Sequence, residues 1–508
     1  MARIVTDYLD ETVIRYPNKI AFSDDKQEVT FLCARDMSTR IATWMIKEGA
    51  FKCPVGIYLG KGVDVIISFM GCAYSGNFYS PIDPNMPKER AKSIINTLQP
   101  QYIITNQELC EEAKKIAGNA QIVTLEALYS VVVSESLIIE RKNKIIDTDV
   151  LYVFFTSGST GIPKGVIISH RAVIDYAEWV NKVFEIDNTV IFGNQAPFYF
   201  DNSILDIFQT IKAGAELNII PENLFADPRD LLKYIDDKKI NFIFWVPSAL
   251  CIVANSGELN SIHLNSIKKV LFCGEVMPTK QLNLWRKEYP DVKFANLYGP
   301  TEIADVCTYY IIDREFKDDE PLPIGYPCEN TDVLVLDESN NLIVPNEVDR
   351  EGELCVRGSC LSYGYYNNPE RTEAVFIQNP INTSYPEKIY RTGDIVKYNS
   401  YGEITYVGRK DFQIKISGFR VELGEIETAA SVVDGIENCC CIFDEKNKHI
   451  ILLYTGDGNK KTIRSQIRKA IPRYMMPHKY IKIEKMPLNV NGKYDRMKLK
   501  KMYIDETE

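Results

Sequence analysis

The residues best equipped for chemistry sit together at positions 156–166, TSGSTGIPKGV. Thr156, Ser157, Ser159 and Thr160 supply hydroxyl donors, and Lys164 supplies a positive point charge. Glycines such as Gly158 let backbone N–H groups turn toward a ligand and approach it closely. An apolar run at 150–155 reads as a buried strand leading into the loop. Strand, hydroxyl-rich loop and lysine together make an arrangement for gripping phosphate. The pattern departs from the Walker loop, G-x-x-x-x-G-K-[ST]. Lys164 precedes Gly165, and no Ser or Thr follows the lysine to hold magnesium. Motor or GTPase chemistry is therefore unsupported, while the phosphate logic stands. The bland alternative is a flexible linker, and the preceding strand argues against it.

Three further groupings carry chemistry. Residues 296–302 read NLYGPTE. Tyr298 can lie flat on a purine ring, Gly299 and Pro300 make a turn, and Thr301 offers a hydroxyl to phosphate. Glu302 offers a hard oxygen suited to Mg²⁺. Residues 390–394 read YRTGD, and the Asp394 carboxylate is a strong acceptor for two vicinal ribose hydroxyls. Asp201, in FYFDNS at 198–203, is an acid in apolar surroundings. Burying it unpaired would be costly, so it predicts a cationic partner.

Taken in order along nearly the whole chain, these strings resemble the adenylate-forming superfamily of acyl-CoA synthetases, luciferases and amino-acid adenylation domains. The resemblance starts with YSPIDPNMPKER at 79–90, continues through GRKDFQIKISGFRVELGEIE at 408–427 and ends with NGKYDR at 491–496. It implies a large N-terminal α/β region with an added β-rich part (1–409). A small mobile C-terminal α+β lid (410–508) follows, hinged at Asp411. It also implies an ATP site of Thr156, Ser157, Gly158, Ser159, Thr160 and Lys164 on phosphate. Gly274, Glu275, Asn296, Leu297, Tyr298, Gly299, Pro300 and Thr301 would hold adenine and AMP. Asp394, Tyr406 and Arg409 would hold the ribose side, and Glu302 would ligate Mg²⁺. Gly418 would line a thiol channel. Lys493 matches the catalytic lysine of the family. An ammonium there would stabilise charge that develops as a carboxylate attacks the α-phosphorus of ATP. Thr301 and Glu302 complete the expected catalytic group.

Asp201 decides between branches, because it matches the aspartate that pairs with a substrate α-ammonium in amino-acid adenylating enzymes. By register, Asn202, Leu205, Phe244, Leu271, Cys273, Leu297, Asp305 and Val306 line the rest of the pocket. The segments at 194–201 and 271–278 are most similar to D-alanine–carrier protein ligases. Asp305 departs from them, standing where those ligases carry an aliphatic contact. A second acid fits an amino acid with a polar or cationic side chain. The expected activity is ATP-dependent formation of an aminoacyl-AMP, then transfer to the phosphopantetheine thiol of a carrier protein. No attachment-serine motif follows Lys493, so the carrier is expected to be a separate polypeptide. The alternatives are an acyl- or aryl-CoA synthetase, against which Asp201 counts, and a non-catalytic homologue.

The elements that must position these residues are also visible. Apolar runs at 55–59, 102–105, 242–246 and 269–272 read as buried strands, with amphipathic helices at 231–238 and 280–288. This alternation predicts α/β layers with largely parallel sheets. From about Asp332 the pattern turns strand-rich and barrel-like. The tail reads as strand 412–416, helix 422–433, strand 449–454 and helix 461–470, stopped by Pro472. A length of 508 residues suits two or three folding units. The net charge of −10 argues against nucleic acid as a partner. Thirteen scattered cysteines and four histidines offer no zinc spacing and fit reduced thiols. The N-terminus lacks a signal-peptide core, and no run reaches the ~18 apolar residues of a membrane span. A cytoplasmic enzyme without integral membrane association is expected.

Overall fold

A computed structural model describes residues 2–158, 162–488 and 494–503. Two large sheets dominate the N-terminal part. The first has nine strands. Its centre is a parallel run in which Lys293–Tyr298, Lys269–Phe272, Phe242–Trp245, Ile191–Asn194 and Glu216–Ile219 lie side by side. Strands covered on both faces need no alternation. Phe242–Trp245 is accordingly apolar throughout and wholly buried. The second sheet has six strands, with Pro54–Ile57, Phe78–Pro81 and Val150–Thr156 at its centre. Pairing there is parallel except for Lys164–Ser169, which runs back antiparallel against Val150–Thr156.

The phosphate-type loop is thus the turn of a hairpin. Lys164 opens the return strand, opposite Thr156. Of the residues singled out from sequence, Ser159, Thr160 and Lys493 lie outside the described residues.

The β-rich part is an open sheet and not a barrel. Its pairing runs from Leu342–Ile343 to Phe376–Gln378 without closing, and Ile404–Arg409 joins at Lys388–Tyr398. Lys388–Tyr398 alternates buried and half-buried positions along most of its length, as a one-sided antiparallel sheet requires, while Glu351–Gly358 is buried continuously from Gly352 to Val356.

Beyond Arg409 a two-stranded hairpin, Gln413–Ile416 with Phe419–Glu422, precedes the helix Leu423–Ser431. A three-stranded sheet of Asn438–Asp444, His449–Thr455 and Lys479–Lys482 follows, with the helix Lys460–Ala470. Val421, Ile426, Cys441, Leu452, Ile463 and Ile467 form a separate apolar core there. Four strands or helices were not read from sequence: the return strand Phe419–Glu422, the strand Asn438–Asp444 carrying three consecutive cysteines, the strand Lys479–Lys482 and the helix Arg496–Tyr503.

The carboxyl ends of the central strands of both large sheets open onto one groove. Open α/β sheets bind ligands at such ends. Gly274, Gly299 and Asp201 reach it from the first sheet, and Thr156 and Ser157 reach it from the second. No helix among the described residues is long and apolar enough to cross a membrane.

Candidate active site

The groove has a volume of about 440 Å³. Asp201, Asn202, Gly299, Pro300, Thr301, Asp394 and Arg409 all line it. Residues 201 to 409 thus meet around one cavity, together with Lys415, Gly418 and Arg420 from beyond the hinge position.

The turn after strand Lys293–Tyr298 needs its glycine. A Cβ on Gly299 would stand 2.1 Å from the carbonyl oxygen of Asp305. This close return folds Thr301–Ile303 as one 3₁₀ turn and brings residues 305 and 306 back beside the strand. Glu302 is thereby fully buried. Its Oε1 accepts from the Tyr365 hydroxyl at 2.7 Å, and both oxygens accept from Arg420 Nη1 at 2.8 Å. Burial would raise this carboxyl, but the charges of Arg420 and Lys164, with the Tyr365 hydroxyl, hold it at about 2. It is therefore always ionised near neutral pH. An ionised, buried hard-oxygen donor fits a divalent cation, although here Arg420 supplies the counter-charge. No group of three potential ligands converges elsewhere among the described residues.

Lys164 is also buried, and burial pulls its ammonium down to about 8, with Arg420 adding to the effect. Its Nζ lies 3.3 Å from Glu422 Oε1 and over the Tyr365 ring. Ser157 Oγ donates to the Arg420 carbonyl at 2.8 Å, and Gly158 N–H donates to Glu425 Oε2 at 3.1 Å. Ser157, Gly158 and Lys164 are thus engaged by one short stretch, 420–425, while the buried Thr156 hydroxyl has no partner.

At the ribose end, Asp394 accepts from the Tyr298 hydroxyl and from Arg409 Nη1, the latter at 2.8 Å. Arg409 also grips Asp411 through Nε at 2.6 Å and Nη2 at 2.8 Å. Tyr406 is half-buried on the neighbouring strand, where burial and the Asp394 charge raise its phenol. Asn296 donates to the Pro323 carbonyl at 2.7 Å, which fixes its amide. Glu275 accepts from Ser248 N–H at 3.0 Å. Gly274 adopts φ +98° at the groove wall.

Of the residues expected from register to line the pocket, Asp201 and Asn202 line the groove and the others do not. Leu205, Phe244, Leu271, Cys273, Leu297 and Val306 belong to one buried apolar cluster. Asp201 borders it, 7% exposed, and Asp305 is 1% exposed. Burial pushes the Asp201 carboxyl up to about 6, opposed in part by the Thr301 hydroxyl.

Sequence reasoning missed the cations that fill the groove. Arg420 and Lys415 stand within the motif block read at 408–427, but nothing local shows that Arg420 reaches Glu302, 118 residues away. Lys415 sits over the Tyr298 ring at 5.7 Å. Arg90 pairs with Glu425, both almost fully buried. Tyr176, in a helix that reads as amphipathic packing, donates to Asp305 Oδ2 at 2.6 Å. A helical tyrosine gives no sequence signal for that contact.

Known proteins share this layout. Zwittermicin A synthase ZmaJ of Bacillus cereus is 29% identical over 98% of this chain and 94% of its own. A D-alanine–D-alanyl carrier protein ligase of Bacillus cytotoxicus is 29% identical over 97% and 98% of the two chains. The fold matches the Vibrio cholerae adenylation domain AlmE, solved with glycyl-adenosine-5′-phosphate. That match has TM-score 0.85 and 21% identity, and covers 99% of this chain and 98% of that one. The family model described as AMP-binding enzyme matches residues 9–366, a span holding the phosphate loop, Asp201 and the Glu302 turn, and so this chain belongs to the AMP-binding enzyme family.

Proposed function

We propose that the protein is an ATP-dependent ligase that activates an amino acid and loads it onto a separate carrier protein. The observation that carries this reading is the convergence on one groove of an amine-directed carboxylate, a phosphate loop and a ribose-type carboxylate. Asp201, Thr156 with Ser157, and Asp394 supply these groups in that order. The relatives named as a D-alanyl carrier protein ligase and a zwittermicin A synthase support it.

In the first step a carboxylate oxygen of the amino acid attacks the α-phosphorus of ATP. The bond from that phosphorus to the bridging oxygen of pyrophosphate breaks, leaving aminoacyl-AMP. Asp201 holds the ammonium and so fixes the direction of the carboxylate. Ser157, Thr301 and Lys164 bind phosphate oxygens, and Tyr298 and Asp394 hold the nucleoside. Lys493 is assigned to the charge that grows at phosphorus. Glu302 would hold Mg²⁺, which when bound neutralises charge on the phosphates. In the second step a phosphopantetheine thiol sulfur attacks the acyl carbon. The C–S bond forms, the C–O bond to AMP breaks, and the thiol proton passes to solvent.

We assign 410–508 to a body that rotates about Asp411 between these steps. The arrangement seen here, with the hairpin Gln413–Glu422 against the groove, suits the second step. Thirteen unpaired thiols fit a cytoplasmic setting.

The test is amino-acid-dependent ATP–pyrophosphate exchange over a panel of amino acids and amine-free acids. Exchange with an amino acid, lost in Lys493→Ala, is expected. Exchange confined to amine-free acids would move the enzyme to CoA ligation.

A further inference from the structure

Two carboxyl groups lie close together at the groove, Asp201 lining it and Asp305 buried behind it, and neither has a counter-ion there. Burial and the Asp201 charge together favour the protonated form of Asp305. Among the described residues, neither forms an ion pair with a lysine, arginine or histidine. The charged groups acting on the pair are few. Asp206, engaged by Asn194 Nδ2 at 2.8 Å, acts on Asp305, and Glu302, paired with Arg420, acts on Asp201. Lys415 acts on Asp201, but it stands on the hairpin beyond the hinge position. Once that hairpin withdraws, the pocket keeps its acids and loses its cation.

Two further observations point to a polar ligand. The Tyr152 hydroxyl is fully buried with no hydrogen-bond partner, and the ring feels both Asp201 and Asp305. Asn202 Nδ2, on the groove wall, is also without a partner. Buried polar atoms are rarely left unpaired unless something else satisfies them. Asp305 is besides a non-glycine residue held at φ +87°. Such strain persists where surrounding structure over-determines it, commonly at ligand clamps. Its Oδ2 is fixed by the Tyr176 hydroxyl, and Tyr176 comes from a different element, the helix His170–Val183. A wall made only for packing would be served better by an aliphatic side chain, since a second buried acid beside Asp201 costs stability.

We propose that the amino acid loaded by this enzyme is a diamino acid, with its α-ammonium on Asp201 and its side-chain ammonium on Asp305. This rests on the amino-acid reading above and names the substrate class of that same pocket. Tyr176 is a positioning residue that sets the Asp305 carboxylate by its hydroxyl. Asp305, protonated in the free pocket through burial and the Asp201 charge, releases its proton when the second ammonium arrives.

The experiment is pyrophosphate exchange by the full chain with 2,3-diaminopropionate, 2,4-diaminobutyrate, ornithine and lysine. D- and L-alanine, serine and amine-free propionate serve as comparisons. At least one diamino acid is expected to exceed alanine by about tenfold or more in kcat/KM, as pockets built for a polar group reject analogues lacking it. Asp305→Val is expected to cost that substrate about 100-fold, the scale of unpairing a buried charge, and to erase its lead over alanine. Tyr176→Phe keeps the carboxylate and is expected to raise KM more than it lowers kcat. Calorimetry in two buffers of different ionisation enthalpy should show a proton released on binding, absent in Asp305→Asn. Exchange with alanine or serine alone, or a substrate profile that Asp305→Val and Asp305→Asn leave untouched, overturns the diamino assignment while the amino-acid reading stands. Exchange with propionate alone removes both.

Discussion

At the level of single side chains, burial decides which acids work and when. Asp201 and Glu302 are both buried carboxylates, yet their surroundings shift them in opposite directions. Burial and the Glu302 charge raise Asp201 to about 6, against the Thr301 hydroxyl, Lys415 and its own backbone N–H. Glu302 has Arg420 and Lys164 and lies at about 2. A raised acid is protonated below its folded value, and a protonated Asp201 cannot hold an ammonium. The kcat/KM for the amino acid in pyrophosphate exchange should therefore climb as pH rises through about 6, falling about tenfold per unit on the acid side. Glu302 should add no inflection between pH 4 and 8. A flat profile from pH 5 to 8 would contradict the assignment of Asp201 to the amine. Asp201→Asn should lower kcat/KM by about 100-fold, as unpairing a buried ammonium does, and should abolish the inflection. These acids were legible in the sequence, because a carboxylate inside an apolar string, or after Tyr-Gly-Pro, has few other uses. Arg420, Tyr176 and Arg90 were not. Their partners lie 118, 129 and 335 residues away, and charge alone does not show what a side chain will reach.

At the level of elements, strands buried on both faces were the easiest to read, because near-continuous apolar runs such as Phe242–Trp245 allow little else. The hairpin Gln413–Ile416 with Phe419–Glu422 was half-read. Its first strand follows an apolar pattern, while its return strand FRVE puts Arg420 and Glu422 toward the groove and so resembles a loop. Its turn is what matters to chemistry. Gly418 adopts φ +79°, and a Cβ there would stand 2.4 Å from Val246 Cγ1. Val246 ends the strand of Phe244 and also faces Gly274. The hairpin tip therefore seats only because it lacks a side chain. Gly418→Val should stop the tip from docking and cut thioester formation on a carrier protein by about 100-fold or more, the usual result of misplacing reacting groups. On the proposed rotation about Asp411, pyrophosphate exchange should fall far less. Equal loss in both half-reactions would mean that the tip does not belong to the second step.

At the level of the whole molecule, the two parts meet through charge drawn from the site itself. Arg420 neutralises Glu302, Glu422 takes Lys164, Glu425 takes Arg90 and the Gly158 N–H, and Phe419 stacks between Phe200 and Tyr474. The ion pairs through Glu302 and Lys164 occupy groups that the proposed first step assigns to metal and phosphate. Leu488 and Tyr494, which flank Lys493, bridge to each other, and Tyr494 donates to Asn438 on the C-terminal sheet. Neither lines the groove. No sequence pattern could show this, because these contacts join residues far apart in the chain. The arrangement has a consequence for ligand response. Glu302 and Lys164 cannot serve Arg420 and Glu422 while also serving the magnesium complex of ATP, so that complex should lift residues 413–425 out of the groove. Binding can shift such an equilibrium only by its difference in affinity for the two states, and the competition for Glu302 supplies that difference. Lys410, 56% exposed between the Arg409–Asp411 clamp, reports on it as a trypsin site. Cleavage after Lys410 should be slow in the free protein, several-fold faster with Mg²⁺ and a non-hydrolysable ATP analogue, and slow again with AMP alone. Removing one partner of a buried ion pair is strongly destabilising. Arg420→Ala should therefore start in the fast regime and lose most of its response to the nucleotide complex. A cleavage rate indifferent to Mg²⁺ and nucleotide in the native protein, with Arg420→Ala behaving identically, would show that the docked hairpin is not in competition with the substrate.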